Sequence, residues 1–192
     1  MSKRLRRIVV ETPGDVWFFA YGSLMWDPGF APAEVRPALL YGYHRRFCVR
    51  SVMYRGTPDD PGLSLGLDPG GSCRGRALRV AEADRPAVFD YLARREMPEE
   101  IYRCTPVRLH TPGGIVEGHT LVVNHANQLY DGMVSEDQAA ARIARCRGER
   151  GPNIDYLAAT VEHLDALGIG DGAIHRLLDK ARRLAAPVGG NR

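Results

Sequence analysis

Apolar residues in the first two thirds of the chain come in short runs, a pattern typical of buried β-strands. The run at 16–21 is rich in aromatic residues and predicts the clearest strand. Further strands are predicted at 36–50, 63–68, 74–81, 103–110 and 117–124. Turn-forming glycines and prolines at 55–58 and 68–71 are predicted to separate several of these strands, and 55–62 is predicted to be an exposed loop.

One helix is predicted among these strands, over residues 84–97. Pro86 suits its first turn, because proline has no N–H to lose there and its φ angle is already helical. Pro98 disfavours helical geometry at the residue before it, so the helix is expected to end there.

The last third of the chain has the apolar spacing of helices. Ser135 and Gln138 form a capping-box pattern that predicts the start of one helix. Asn153 is predicted to cap a second helix and Asp171 a third. The apolar faces of these last two helices are expected to comprise Leu157, Val161, Leu164 and Leu167, and Ile174, Leu177, Leu178, Ala181 and Leu184.

This order of elements predicts an α+β fold. We expect a curved or closed, mostly antiparallel, β-barrel-like sheet with one inserted helix and a helical C-terminal third. The length of 192 residues suits a single domain, predicted over 16–186. A basic N-terminal tail at 1–15 and a C-terminal tail at 187–192 are expected to flank it.

The net charge of +3 comes partly from a short basic cluster in the N-terminal tail. Its members are Lys3, Arg4, Arg6 and Arg7. The cluster lacks the interleaved aromatic residues and the motifs of a nucleic-acid face, so we interpret it as a solvated tail and predict no nucleic-acid partner. The apolar stretches are too short to span a bilayer, so no membrane insertion is predicted.

The four cysteines are scattered, without a C-x-x-C pair. They are Cys48, Cys73, Cys104 and Cys146. This spacing favours neither a zinc site nor a disulfide framework, so we expect reduced thiols in a cytoplasmic protein. The six histidines also lack metal-ligand spacing and are interpreted as structural or surface residues; no metal and no cofactor are predicted.

The first candidate for chemistry is the segment Tyr21-Gly22-Ser23-Leu24, where the aromatic strand gives way to a glycine and a serine. A glycine at a strand end allows a sharp turn that exposes consecutive backbone N–H groups. Such groups bind a carboxylate or a developing oxyanion. An ordinary strand-to-loop turn is the alternative. A nucleophilic role for Ser23 is a further one, although the G-x-S-x-G pattern is absent.

The second candidate is Glu96, in the last turn of the predicted helix 84–97. Val88, Leu92 and Glu96 are spaced by four and share one helix face, so the carboxylate continues the apolar stripe. Burial and the negative end of the helix dipole both raise a carboxyl pKa above about 4.3, which makes the group a better base. Arg94 and Arg95 can oppose this by ion pairing. A solvent-facing glutamate at a frayed helix end is the alternative.

The third candidate is an aromatic and basic set on the predicted strand 36–50. It comprises Tyr41, Tyr43, His44, Arg45, Arg46 and Phe47. Its alternation suggests a strand with one polar face. For any single residue of the set, ordinary surface charge on a strand is the favoured interpretation.

These segments together resemble the ChaC family of glutathione-specific γ-glutamylcyclotransferases. The resemblance rests on "VWFFAYGSLMWDPGF", "GYHRRFCVRSVMYRGTPDDPGLSLGLDPGGSCRGRALRV", "YLARREM" and "GPNIDYL", in this order. It extends from about Val16 to Leu184 and implies the bacterial type and the γ-glutamylcyclotransferase-like fold. Many members have glycines after the acid, whereas this chain has Met97-Pro98-Glu99-Glu100-Ile101 before Tyr102, so the shape of that loop is left open.

The resemblance implies a substrate, a reaction and site residues. The substrate would be glutathione, bound through its γ-glutamyl group by Tyr21, Gly22, Ser23 and Leu24. The γ-glutamyl amine would attack the γ-carbonyl of the same residue, releasing 5-oxoproline and Cys-Gly, with Glu96 as general acid and base. Tyr156 would lie near the substrate. Arg46 would either bind the glycyl carboxylate of the substrate or have only a structural role, bracing the sheet.

Two alternatives remain at this point. One is a cyclotransferase acting on another γ-glutamyl compound, since the sequence does not display the pocket beyond that group. The other is a non-catalytic regulator of a cation antiporter, a role after which some relatives were named. The sequence does not distinguish a monomer from a weak dimer.

Overall fold

The computed structural model describes residues 13–96 and 100–186. Residues 1–12 of the predicted N-terminal tail, the predicted C-terminal tail at 187–192 and residues 97–99 of the loop after Glu96 lie outside the described residues. The strands are β1 (Val16–Ala20), β2 (Glu34–Ser51), β3 (Gly62–Val80), β4 (Tyr102–Thr111), β5 (Gly114–Val123), β6 (Arg147–Gly148) and β7 (Gly151–Pro152). The helices are α1 (Arg85–Glu96), α2 (Glu136–Arg145), α3 (Asn153–Ala166) and α4 (Gly172–Ala185).

The five long strands form a closed barrel in the order β1-β3-β2-β4-β5. Strand β1 runs antiparallel to β3 and parallel to β5, and β4 pairs antiparallel with both β2 and β5. Because the barrel is closed, its sheet has no exposed edge. Each of its five strands contributes residues to one core. That core contains Phe19, Ala38, Leu40, Leu67, Cys73, Ala77, Val107, Leu109 and Val122. The prediction of a mostly antiparallel, closed α+β fold is therefore confirmed.

The chain divides into two compact units. The first contains the described residues up to Arg45 together with Leu67–Asn127, and the second contains Arg46–Gly66 and the described residues from Gln128 onward. Whether 16–186 behaves as one domain remains a prediction.

The second unit contains α2, α3 and α4, which pack against one another. Ser135 and Gln138 form the predicted capping box at α2, and the Asp171 side chain accepts a hydrogen bond from the Ile174 N–H at the start of α4. The buried faces of these helices include Ile143, Leu157 and Leu164. No helix of the described ranges combines the length and apolar character needed to cross a membrane.

Three predictions about these elements were wrong. Residues 68–71 do not separate two strands, because Gly70 and Gly71 take positive φ angles inside one continuous strand, β3, as glycines at bulges do. Asn153 does not cap α3; its buried amide instead accepts from the Leu63 N–H at 2.6 Å and donates to the Leu63 carbonyl at 2.8 Å. Leu184 does not join the buried face of α4, because it lies in the last turn and is 58% exposed.

Candidate active site

The segment after β1 turns at once into a short 3-10 helix, Ser23–Met25. Met25 N–H donates to the Gly22 carbonyl at 2.8 Å, and the N–H groups of Trp26 and Asp27 both donate to the Ser23 carbonyl. Leu24 and Met25 are buried and anchor the turn. The first N–H groups of any helical turn lack an acceptor within the helix, so the start of this turn is suited to bind an acceptor from outside it.

Two arginines donate hydrogen bonds to carbonyl groups of this turn. Arg45 is only 3% exposed, and it donates from Nε to the Tyr21 carbonyl at 2.5 Å and from Nη2 to the Arg74 carbonyl at 2.7 Å. Arg76 donates from Nη1 to the Met25 carbonyl at 2.9 Å. A buried guanidinium is tolerated when its N–H groups are bonded in this way. The shape of the turn therefore depends on buried arginine contacts as well as on its bulky neighbours.

Glu96 is the last residue of α1 and continues the stripe formed by Val88 and Leu92. Its side chain is 22% exposed, so the carboxylate is largely removed from water. Burial raises the pKa of Glu96 above its usual range, and the Arg95 guanidinium opposes only part of that shift. Such a carboxyl group is a stronger base than a surface glutamate once it is ionised.

Arg95 links Glu96 to the turn after β1. Its Nε lies 2.9 Å from Glu96 Oε1, and its Nη2 donates to Ser23 Oγ at 3.0 Å. A single guanidinium group therefore contacts both the acid and the Tyr21–Leu24 segment. Arg94, which was also considered as a partner of Glu96, instead pairs with Asp90 on the exposed side of α1.

Arg46 and Tyr156 belong to the second unit. Arg46 donates from Nη2 to the Val134 carbonyl at 2.7 Å, a contact that suits the bracing role. The Tyr156 ring packs edge-on against Phe47 with centroids 5.5 Å apart, and the Arg55 guanidinium lies 5.2 Å from its centroid. The structure thus brings Tyr21–Leu24 and Glu96 together within the first unit, and it places Arg46 and Tyr156 in the second.

Sequence reasoning missed the contribution of Arg45. The aromatic and basic set on β2 was expected to present one polar face, but Arg45 is as thoroughly buried as Phe47. Gly42, which has a positive φ angle of 85°, interrupts the regular alternation just before it. A local pattern therefore could not identify Arg45 as a buried support of a turn more than twenty residues away.

The described residues do not contain a cluster of three or more His, Cys, Asp or Glu side chains suited to a metal ion. His125 Nε2 lies 2.6 Å from the buried Asp68 carboxylate, which makes this histidine part of a pair and not of a larger ligand set. All four cysteines lie in the described ranges and none forms a disulfide, and burial raises the pKa of the Cys104 thiol to about 11.

Comparison with known proteins found similar sequences. A sequence model of the family described as ChaC-like protein matches residues 16–184. The chain is 33% identical over 174 residues to the glutathione-specific γ-glutamylcyclotransferase of Escherichia coli K12, covering 90% of this chain and 75% of that protein. It is also 33% identical over 172 residues to the enzyme of the same name from Schizosaccharomyces pombe, covering 79% and 85% of the two chains.

A solved structure supports the fold. The crystal structure of a γ-glutamylcyclotransferase specific to glutathione from yeast superposes with a TM-score of 0.81. The match covers 90% of this chain and 98% of the yeast chain at 21% sequence identity. The chain therefore has the γ-glutamylcyclotransferase-like fold.

Proposed function

We propose that this chain, which belongs to the ChaC-like protein family, is a γ-glutamylcyclotransferase that cleaves glutathione into 5-oxoproline and Cys-Gly. Relatives from E. coli and S. pombe that share a third of its residues carry the name of that activity. The observation on which the assignment depends most is the contact of Arg95 with both Glu96 and Ser23, because it joins a base to a turn that can hold the substrate.

The proposed roles follow from the chemistry of the two groups. The segment Tyr21–Leu24 binds the γ-glutamyl group, partly through backbone N–H groups, which suit its α-carboxylate or the oxygen of the γ-carbonyl. Glu96 acts as the general base. Its pKa is raised by burial, so its ionised form accepts a proton more readily than an exposed glutamate does.

The reaction begins when Glu96 takes a proton from the α-ammonium group of the substrate. The freed amine attacks the γ-carbonyl carbon of the same glutamyl residue, and a five-membered ring closes through a tetrahedral intermediate. Protonated Glu96 then gives the proton to the departing cysteinyl nitrogen as the C–N bond breaks. The ring nitrogen loses its second proton as the lactam forms, and that proton also passes to the cysteinyl nitrogen, which leaves as an ammonium group. The products are 5-oxoproline and Cys-Gly, and no water molecule is consumed.

Because the nucleophile and the carbonyl belong to one molecule, the main task of the protein is to hold the glutamyl chain in a curled conformation. Well-oriented intramolecular reactions already gain about 7–11 kcal/mol over their bimolecular counterparts. General base catalysis adds a factor of about 10² to 10⁴. A rigid turn supported by Arg45 and Arg76 suits this task, because it does not need to reorganise when the substrate binds.

Arg46 and Tyr156 are proposed as secondary residues. A guanidinium near the substrate would bind the glycyl carboxylate, and a tyrosine would donate a hydrogen bond from its hydroxyl. The bond from Arg46 to the Val134 carbonyl favours the bracing role for this residue. A cytoplasmic location remains part of the proposal.

A substrate panel tests the assignment. Purified protein is incubated separately with glutathione, γ-glutamyl-alanine and a γ-glutamyl-amine, and 5-oxoproline is measured in each. The proposal predicts a much larger kcat/KM for glutathione than for the other two. Equal or greater turnover of another γ-glutamyl compound would reassign the substrate. No 5-oxoproline from any of them, with partner capture from lysate as the next step, would favour the non-catalytic role.

A further inference from the structure

The Arg95 side chain uses all three nitrogens of its guanidinium group. Nε contacts Glu96 Oε1 at 2.9 Å, and Nη2 donates to Ser23 Oγ at 3.0 Å. Nη1 donates to the Tyr91 hydroxyl at 2.8 Å and to the Asp27 carbonyl at 2.9 Å. The partners come from α1 and from the turn after β1, two elements that are about seventy residues apart in the sequence.

This arrangement is more specific than an ordinary helical ion pair. Adjacent residues on a helix point about 100° apart, so an i,i+1 contact forms only when the long guanidinium reaches around toward its neighbour. The Arg95 side chain is 22% exposed, and such a position is favourable only when its charge is well paired. Arg94 offers the contrast, because it makes a common i,i+4 pair with Asp90 while its side chain is 59% exposed.

We infer that Arg95 is a positioning residue for the proposed cyclotransferase reaction: its guanidinium group holds the Glu96 carboxylate in a fixed orientation against the Ser23 turn. This inference rests on the proposed function. Arg95 does not touch the substrate in this role; it acts through Glu96 and through Ser23.

The orientation has a chemical consequence. Because Arg95 occupies Oε1 of Glu96, Oε2 is the oxygen assigned to proton transfer. The planar fork of an arginine fixes the direction of a carboxylate better than the point charge of a lysine. A misplacement of about 1 Å can cost roughly 10²-fold in rate, so a base held in this way gains from its support.

Arg95 also adjusts the proton affinity of the base. Burial raises the pKa of Glu96, and Arg95 lowers it by its charge and its hydrogen bond. Among the residues that the structure describes, the Asp27 carboxylate, 3.9 Å from Arg95 Nη1, and the Tyr91 hydroxyl also face this pair. Loss of the guanidinium would therefore leave Glu96 with an even higher pKa.

The test compares Arg95→Gln and Arg95→Lys with the matched control Arg94→Gln. The inference predicts that Arg95→Gln lowers kcat about 10²-fold with a much smaller change in KM, because the base is misplaced while substrate binding is largely kept. Arg95→Lys should lose less activity than Arg95→Gln, because lysine keeps the positive charge although it lacks the planar guanidinium group. Arg94→Gln should match the wild type in kcat and KM.

The pH profile of kcat/KM separates this role from a merely structural one. The ionised form of Glu96 is active, so activity rises with pH through the Glu96 pKa. In Arg95→Gln this acid limb should move to higher pH, whereas in Arg95→Lys it should stay near that of the wild type. An acid limb that does not move in Arg95→Gln would overturn the inference.

Tyr91→Phe provides a second test of the positioning role if Arg95→Gln does not fold. It removes one hydrogen bond to the guanidinium with little change in shape, and a partial loss of kcat is expected. Wild-type kcat in both Tyr91→Phe and Arg95→Lys would contradict the positioning role. A wild-type protein that releases no 5-oxoproline from glutathione contradicts the proposed function instead, so the two failures are distinguishable.

Discussion

Helices α1 and α4 are similar in length but differ in where they keep their charged side chains. On α4 the buried face is apolar, with Leu177 and Leu178, and Lys180 pairs with two acidic residues of α2 at the surface. On α1 the apolar stripe ends in Glu96, which is largely buried beside Arg95. Partly buried charges cost free energy unless they are well paired. The comparison suggests that α4 serves packing, whereas α1 retains a costly pair for chemistry.

The largest effect is expected at the acid of α1. Glu96→Gln keeps the shape of the side chain and removes the proposed base, so kcat for 5-oxoproline release should fall by about 10² to 10⁴. The thermal unfolding midpoint Tm should change little, because the glutamine Oε1 can still accept a hydrogen bond from Arg95, which also keeps its other hydrogen bonds. The matched control is Asp90→Asn, an exposed acid of the same helix, which should leave kcat unchanged. Substantial turnover by Glu96→Gln would contradict the assignment of the base.

The next effect is expected in the buried face of α4. Leu178 is 3% exposed, so Leu178→Ala should lower the free energy of unfolding by about 2–5 kcal/mol. Its kcat, measured well below Tm, should match the wild type. Leu184→Ala in the same helix is the control, because that side chain is 58% exposed and its removal creates no cavity. Denaturant titration of both variants measures the difference in unfolding free energy. Equal stabilities would show that the buried apolar face of α4 does not stabilise the protein.

A smaller effect is expected at the start of α4. Asp171→Ala removes the side-chain acceptor for the Ile174 N–H and should cost about 1 kcal/mol of unfolding free energy. Asp171→Asn keeps an acceptor oxygen at the same position and should retain most of the stability. If both variants were equally destabilised, the cap itself would not be the cause.

The smallest effect is expected at the surface of α4. Lys180→Met removes the ion pairs with Glu136 and Asp137 but keeps the aliphatic stem. Exposed ion pairs contribute little because water and salt screen them. Tm and kcat should therefore both be unchanged in a thermal scan and a steady-state assay. A clear fall in Tm would mean that the α2–α4 contact depends on charge more than the comparison implies.

Local patterns predicted the parts of this protein that depend on neighbouring residues. The aromatic strand before Tyr21, the capping box at Ser135 and the stripe that ends in Glu96 all follow from spacing along the chain. Glu96 was detectable because a carboxylate on an apolar stripe departs from the helical pattern.

Contacts between distant residues were not predictable in the same way. Asn153 has the side chain of a helix cap, but its amide pairs with both backbone groups of Leu63, ninety residues earlier in the chain. Arg95 reaches Ser23 across seventy-two residues. A guanidinium or an amide can satisfy many partners, so its residue type does not identify which partner the fold will bring to it.

The central claim is that the γ-glutamyl amine, and not water, displaces Cys-Gly. Digestion of glutathione in water enriched in oxygen-18, followed by mass spectrometry of the products, tests it most directly. The account predicts equal amounts of 5-oxoproline and Cys-Gly, free glutamate at background level, and no heavy oxygen in the 5-oxoproline. Free glutamate carrying heavy oxygen would show hydrolysis and would contradict the ring-closing mechanism.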